Sequence, residues 1–222
     1  MKYLNNAFVQ FFNYLHGGVI SVFPNPNVSY GIAIILMTII IRVIILPLGI
    51  KQIKSSLVMN KIQPEVKKIQ DKYKKDPQKA QKEMMKLYKE KGASPFSGCL
   101  PLLIQWPILV ALYYVFNHLT GLNGISFLWV KDLSKPDIVL SILSGLTTFL
   151  SGWLIMPSGD NPQAGQSSKM NIGMGIFMVF ISWRLKSALV LYWVVSNLIQ
   201  VVQNFIIKRI EQKREEKKVV DN

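Results

Sequence analysis

Three kinds of residue are scarce in this 222-residue chain, and each scarcity closes a class of function. The single cysteine, Cys99, sits in an apolar run, which leaves neither a disulfide framework nor a thiolate zinc site. The two histidines, His16 and His118, are too far apart and too poorly accompanied to propose a metal. No Asp or Glu falls inside any long apolar run, so proton relays and carboxylate cation sites within a membrane are missing. No nucleophile stands beside a base and there is no phosphate loop, so neither bond chemistry nor a cofactor is indicated, and the chain does not read as an enzyme. Residues 1–29 resemble a signal peptide only superficially. Lys2 alone charges their start, no A-x-A-like cleavage site is evident, and no cysteine is available for lipid attachment.

What the chain does have is apolar sequence in long runs and a net charge of +14, itself clustered. Half of the residues are hydrophobic, and their clustering points to a membrane bundle. Residues 1–29 place Phe8, Phe11, Phe12, Leu15 and Val19 at helical spacing, with Asn6, Gln10, Asn13 and Gly17 opposite. This pattern predicts an interfacial amphipathic helix, ended by Gly17-Gly18 and Pro24-Asn25-Pro26. Transmembrane helix 1 covers 30–50. From 51 to 92 the chain is lysine-rich: between Lys51 and Lys91, 13 lysines stand against five acids, a net of +8. Ile62, Val66, Ile69 and Tyr73 form one apolar stripe, and Ala80, Met84 and Leu87 another. Asp76-Pro77 reads as an N-cap with proline at the first helical position, and Gly92 closes the second helix. The segment is therefore predicted to be a helical hairpin, suited to anionic lipids or ribosomal RNA.

Four apolar runs follow, at 98–117, 138–156, 170–183 and 187–207, as transmembrane helices 2 to 5. Between them lie an outer loop at 118–137, where charges cancel, a polar loop at 157–169, and a break at Trp183-Arg184-Leu185-Lys186. The fourth run, at ~1.5 Å per residue, covers only about 21 Å and predicts local thinning or tilt. The basic tail, 208–222, carries six basic and four acidic residues. The excess of lysine places the hairpin and tail in the cytoplasm, giving five spans, N-out and C-in, with only Arg184 and Lys186 against the rule. The fold class is thus an all-α polytopic membrane protein.

Arg42 lies inside the first span, where an arginine costs roughly 2.5–3.5 kcal/mol on insertion scales. It could snorkel toward the inner headgroups, since Lys51 is only ~13 Å further along the helix. The remaining polar residues favour another reading. Gln105 lies near the cytoplasmic end of the second span. Ser144, Thr148 and Ser151 are spaced 4 and 3 on the third, and Trp193, Asn197, Gln200 and Asn204 are spaced 4, 3, 4 on the fifth. Interhelical glue worth under about 1 kcal/mol per Ser or Thr could explain the third span alone. With Thr38 grouped beside Arg42, the set predicts a water-filled groove open to the cytoplasm. A lone cation there attracts an anionic group and shelters polar backbone from lipid.

The runs GCLPLLIQWPILVALYYVF and LVLYWVVSNLIQVVQN, with Arg42 to Pro47 in an R-x-x-x-x-P pattern before a lysine-rich hairpin, resemble the YidC/Oxa/Alb family of membrane-protein insertases over about residues 1–210. The resemblance implies a five-span core, a cytoplasmic hairpin that receives substrates (Lys67, Lys68, Lys72, Lys74 and Lys75), and a hydrophilic groove whose arginine draws in the extracellular tail of a nascent membrane protein. Arg42 takes the place of the groove arginine and Trp193 that of the fifth-span aromatic. A third-span position that is often glutamine in relatives falls at Ser151. The implied partners are nascent membrane proteins, the ribosome, the Sec translocon and anionic lipids, and the implied setting is the cytoplasmic membrane of a Gram-positive bacterium. Two rivals stand beside this: a small anion transporter binding at Arg42, and a tether docking ribosomes through the hairpin lysines.

Overall fold

The computed structural model describes residues 2–93, 100–156 and 162–220. Cys99 and residues 157–161, the start of the 157–169 loop, lie outside them. Among the described residues the chain is helical, with one isolated bridge between Phe127 and Val130 in place of any strand. The helices are α1 (Lys2–Val22), α2 (Pro26–Lys72), α3 (Pro77–Glu90), α4 (Leu100–His118), α5 (Ile138–Trp153), α6 (Pro162–Ser182) and α7 (Ser187–Val220). Helices α2 and α7 are long and apolar enough to cross a membrane, and α5 is a shorter apolar helix.

Helix α1 runs through Gly17-Gly18 rather than stopping there, because flanking apolar residues are held by neighbours. Phe12 and Val19 are buried, with Phe8, Phe11 and Leu15 packed behind them. The Phe12 ring meets Phe116 edge-on, and His16 stacks on Tyr30 at 3.9 Å while bonding Ser29 Oγ at 3.0 Å. The chain turns at Pro24-Asn25, where Asn25 Oδ1 accepts from Asn27 N and Pro26 opens α2.

Helix α2 is a single helix of 47 residues, ~70 Å at 1.5 Å per residue, and joins the first apolar run to the first arm of the hairpin. Pro47 and Pro64 lie inside it. A proline removes one backbone hydrogen bond without forcing the chain to leave the helix, provided that packing holds the turns on either side. Here Ile41 and Ile53 are buried on either side of Pro47.

The second arm is α3. Asp76 Oδ1 accepts from Lys79 N at 3.0 Å, and Ile62, Val66 and Leu87 form a small core lined by Met59, Ile69, Met84 and Tyr88. Lys91 pairs with Glu65 across the hairpin. Tyr73 sits beneath the Lys72 and Lys79 ammonium groups. The base of the hairpin is fastened to the bundle by Asn60 Nδ2 donating to the Ile155 carbonyl and by a Lys54–Glu211 ion pair at 3.2 Å.

At the opposite end, the segment after α4 folds against the start of α7. Ala188 N donates to the Leu133 carbonyl, and Ser187 donates to the Lys135 carbonyl through both its backbone N and its Oγ. Lys186 Nζ donates to the Phe116 carbonyl at 2.9 Å, in the last turn of α4. A cation at a helix C-terminus is favourable, so this lysine has a structural task whatever its place in the charge pattern. Helix α6 begins at Pro162, eight residues before the boundary read from hydropathy, although its apolar part still begins near Met170. Helices α5 and α6 cross at glycines: a Cβ on Gly145 would lie 2.6 Å from the Gly175 carbonyl oxygen.

Candidate functional site

At the hairpin end, α2, α4, α5, α6 and α7 surround a cavity of about 510 Å³. At the other end the space between the helices is filled: Phe12, Ile34, Met37, Phe116, Leu140 and Tyr192 are buried in one cluster. The cavity therefore stops inside the bundle.

Of the eight groove residues read from the sequence, the structure brings seven to this wall: Arg42, Gln105, Thr148, Ser151, Trp193, Asn197 and Gln200. Thr38 is the exception. It is 0% exposed, and its hydroxyl donates back to the Ile34 carbonyl at 2.7 Å, inside its own helix. It lies one turn above Arg42, where the core has already closed. The hairpin lysines stand apart from the cavity. Lys67 is half-buried, while Lys68, Lys72, Lys74 and Lys75 are exposed, Lys74 beside Asp71 at 3.2 Å.

The polar groups are connected across helices. Arg42 Nε donates to Ser196 Oγ at 2.7 Å, and Nη2 donates to Gln200 Oε1 at 3.1 Å. Gln105 Nε2 donates to the Tyr192 hydroxyl at 2.7 Å. Thr148 Oγ1 donates to the Ser144 carbonyl and accepts from Asn197 Nδ2 at 2.8 Å and Trp193 Nε1 at 3.2 Å. Asn204 is held by the Ser151 carbonyl. Ser144 turns the other way, to Ser182 Oγ at 2.7 Å, and serves as glue between α5 and α6. The rest of the wall is largely apolar, with Trp106, Met174, Phe177 and Ile181 among its side chains; Trp106 is 62% exposed.

Sequence reasoning missed Ser196, Tyr192, Gln52 and Gln203. Ser196 and Gln200 are one turn apart, so the α7 periodicity could have flagged Ser196 as a partner for Arg42. Nothing in the sequence could have paired Gln105 with Tyr192. Among the described residues no carboxylate pairs with Arg42, and no three His, Cys, Asp or Glu side chains form a group that could hold a metal.

The fold and site define a transmembrane helical bundle with a half-deep, polar-floored cavity around one cation. Comparison with known proteins narrows this class. Residues 22–215 match the model of a family described as 60Kd inner membrane protein. The chain is 57% identical over 213 residues to the membrane protein insertase YidC of Clostridium tetani, covering 96% of this chain and 97% of that protein. It is 54% identical over 212 residues to the protein of that name from Clostridium acetobutylicum, covering 92% and 83%. A crystal structure of an active YidC insertase with its first transmembrane domain resolved superposes with a TM-score of 0.70 at 34% identity, over 91% of this chain. This chain spans 46% of that crystallised protein. The chain belongs to the 60Kd inner membrane protein family, that of the YidC-type membrane protein insertases.

Proposed function

We propose that this chain inserts nascent membrane proteins into a bacterial cytoplasmic membrane of the Gram-positive type. In this reading α2, α4, α5, α6 and α7 are five spans, with α1 lying in the outer interface and the hairpin and tail in the cytoplasm. The cavity opens to the cytoplasm, and the exposed hairpin lysines receive the substrate there, beside anionic lipid, the ribosome or the Sec translocon. The polar floor shelters an extracellular tail half-way across, while the apolar wall accompanies the span that follows it. No covalent step is involved. The work done is a lowering of the cost of bringing polar backbone and charge into hydrocarbon.

The observation that carries this reading is Arg42. A cation is held in a cavity by hydrogen bonds to two uncharged side chains, with no carboxylate among the described residues to neutralise it. Two charges 4 Å apart at an effective dielectric of about 20 attract by ~4 kcal/mol, less whatever desolvation removes. An acidic tail would therefore be drawn in. An anion transporter would need access from both faces, and the packed core of described residues opposite the hairpin disfavours it.

The test is insertion into proteoliposomes of a single-span substrate bearing an acidic tail. Arg42→Ala is expected to slow it by at least about tenfold, the equivalent of ~1.4 kcal/mol, whereas Arg42→Lys retains much of the rate. Wild-type rates from the alanine variant would show that the groove mechanism is wrong.

A further inference from the structure

Several lysines of this molecule meet carboxylates: Lys54 meets Glu211, Lys91 meets Glu65, and Lys135 meets Asp132. Lys186 and Lys208 instead donate to backbone carbonyls. Arg42 also has neutral acceptors, but they are side chains on the wall of the cavity. Its two bonds go to Ser196 Oγ and Gln200 Oε1, and both partners are neutral acceptors on α7, spaced i and i+4 so that they share one face. Ser196 is 2% exposed and therefore fixed by its surroundings, while Gln200 is half-buried on the cavity wall. A guanidinium has five N–H donors, and two here are spent on orientation. The rest remain for a ligand, and a bidentate grip on a carboxylate needs only two.

A carboxylate at either α7 position would orient the guanidinium as well and would be bound more strongly, but it would cancel the charge. Neutral partners fix the geometry and leave the charge whole. We propose that Ser196 and Gln200 are positioning residues for Arg42, and that the neutrality of position 200 determines the preference for acidic over neutral substrate tails. This rests on the insertase reading above and deepens it.

The experiment uses the full chain in proteoliposomes and two substrates that differ only in tail charge, one with two carboxylates and one with their amides. Gln200→Glu is expected to slow the acidic tail by about tenfold and to leave the neutral tail within about twofold. Gln200→Met removes the acceptor without adding charge, so it should slow the acidic tail only about two- to threefold, and Ser196→Ala should do the same. Equal loss of both tails in Gln200→Glu, or no loss in either, overturns the proposal, as does a methionine variant as severe as the glutamate one. A wild-type chain that does not favour the acidic tail, or an Arg42→Ala chain that keeps the preference, overturns the insertase groove reading instead.

Discussion

The crossing of α5 and α6 can be tested with one methyl group. A Cβ added at Gly145 would lie 2.6 Å from the Gly175 carbonyl oxygen and 2.3 Å from Val179 Cγ2. The valine methyl can rotate away. The carbonyl cannot, because it belongs to the facing helix and moves only if that helix does. Relief therefore requires α6 to shift by most of an ångström, and overpacking of this kind costs about 1–3 kcal/mol. Against it stands the helix-propensity gain of alanine over glycine, about 1 kcal/mol. The two terms together leave Gly145→Ala less stable by up to roughly 2 kcal/mol. Gly173→Ala is the matched control: its Cβ meets nothing within 4 Å, so only the gain remains. For a chain of this size, thermal unfolding in detergent micelles, followed by tryptophan fluorescence, should come roughly 2–12 °C lower for Gly145→Ala than for Gly173→Ala. For Gly173→Ala it should be unchanged or rise. Equal melting of the two variants would mean that the helices do not touch at this pair, and the glycine-mediated crossing would have to be abandoned.

Two further predictions concern the ends of the bundle. Burial holds the His16 imidazole below its ordinary pKa while its ring rests on Tyr30 and bonds Ser29. Because the folded-state value is depressed, its contribution is complete above the unfolded value of about 6.5 and is lost as the pH falls through the folded one. Protection of the α1 amides, taken relative to the intrinsic exchange rate at each pH, should therefore fall on acidification from pH 7.5 to 5, and His16→Gln should abolish that dependence; identical profiles would rule it out. Asn204 is 0% exposed, and its Oδ1 finds no hydrogen-bond donor among the described residues, although Nδ2 is satisfied by the Ser151 carbonyl. An unpaired buried acceptor costs about 1–3 kcal/mol, so Asn204→Leu should melt no lower than the natural chain. A fall of several degrees would instead assign that oxygen a partner.

Much of the site was legible because helical periodicity is a local property. Trp193, Asn197 and Gln200 share a face of α7 at spacings of 4 and 3, and Arg42 announces itself by its cost in an apolar run. The same rule misplaced Thr38, which is one turn from Arg42 and on the right side of α2. Depth, not rotation, separates them, since Phe12, Met37 and Phe116 close the core at that level. The boundary drawn between the first span (30–50) and the hairpin (51–92) is no break in the helix: buried residues on both sides of Pro47 keep α2 continuous into the hairpin.

The sequence by itself determined that this is a helical membrane protein, which faces of its helices are polar, and where its positive charge collects. Those properties follow from composition and from a period of 3.6, and they need no partner. Only the tertiary structure decided that Arg42 would rest on Ser196 and Gln200, more than 150 residues away, and that Gln105 would reach Tyr192. The relative depth and rotation of α2, α4 and α7 set those pairs. That arrangement comes from the packing of all the helices together, so no one stretch of the chain encodes it.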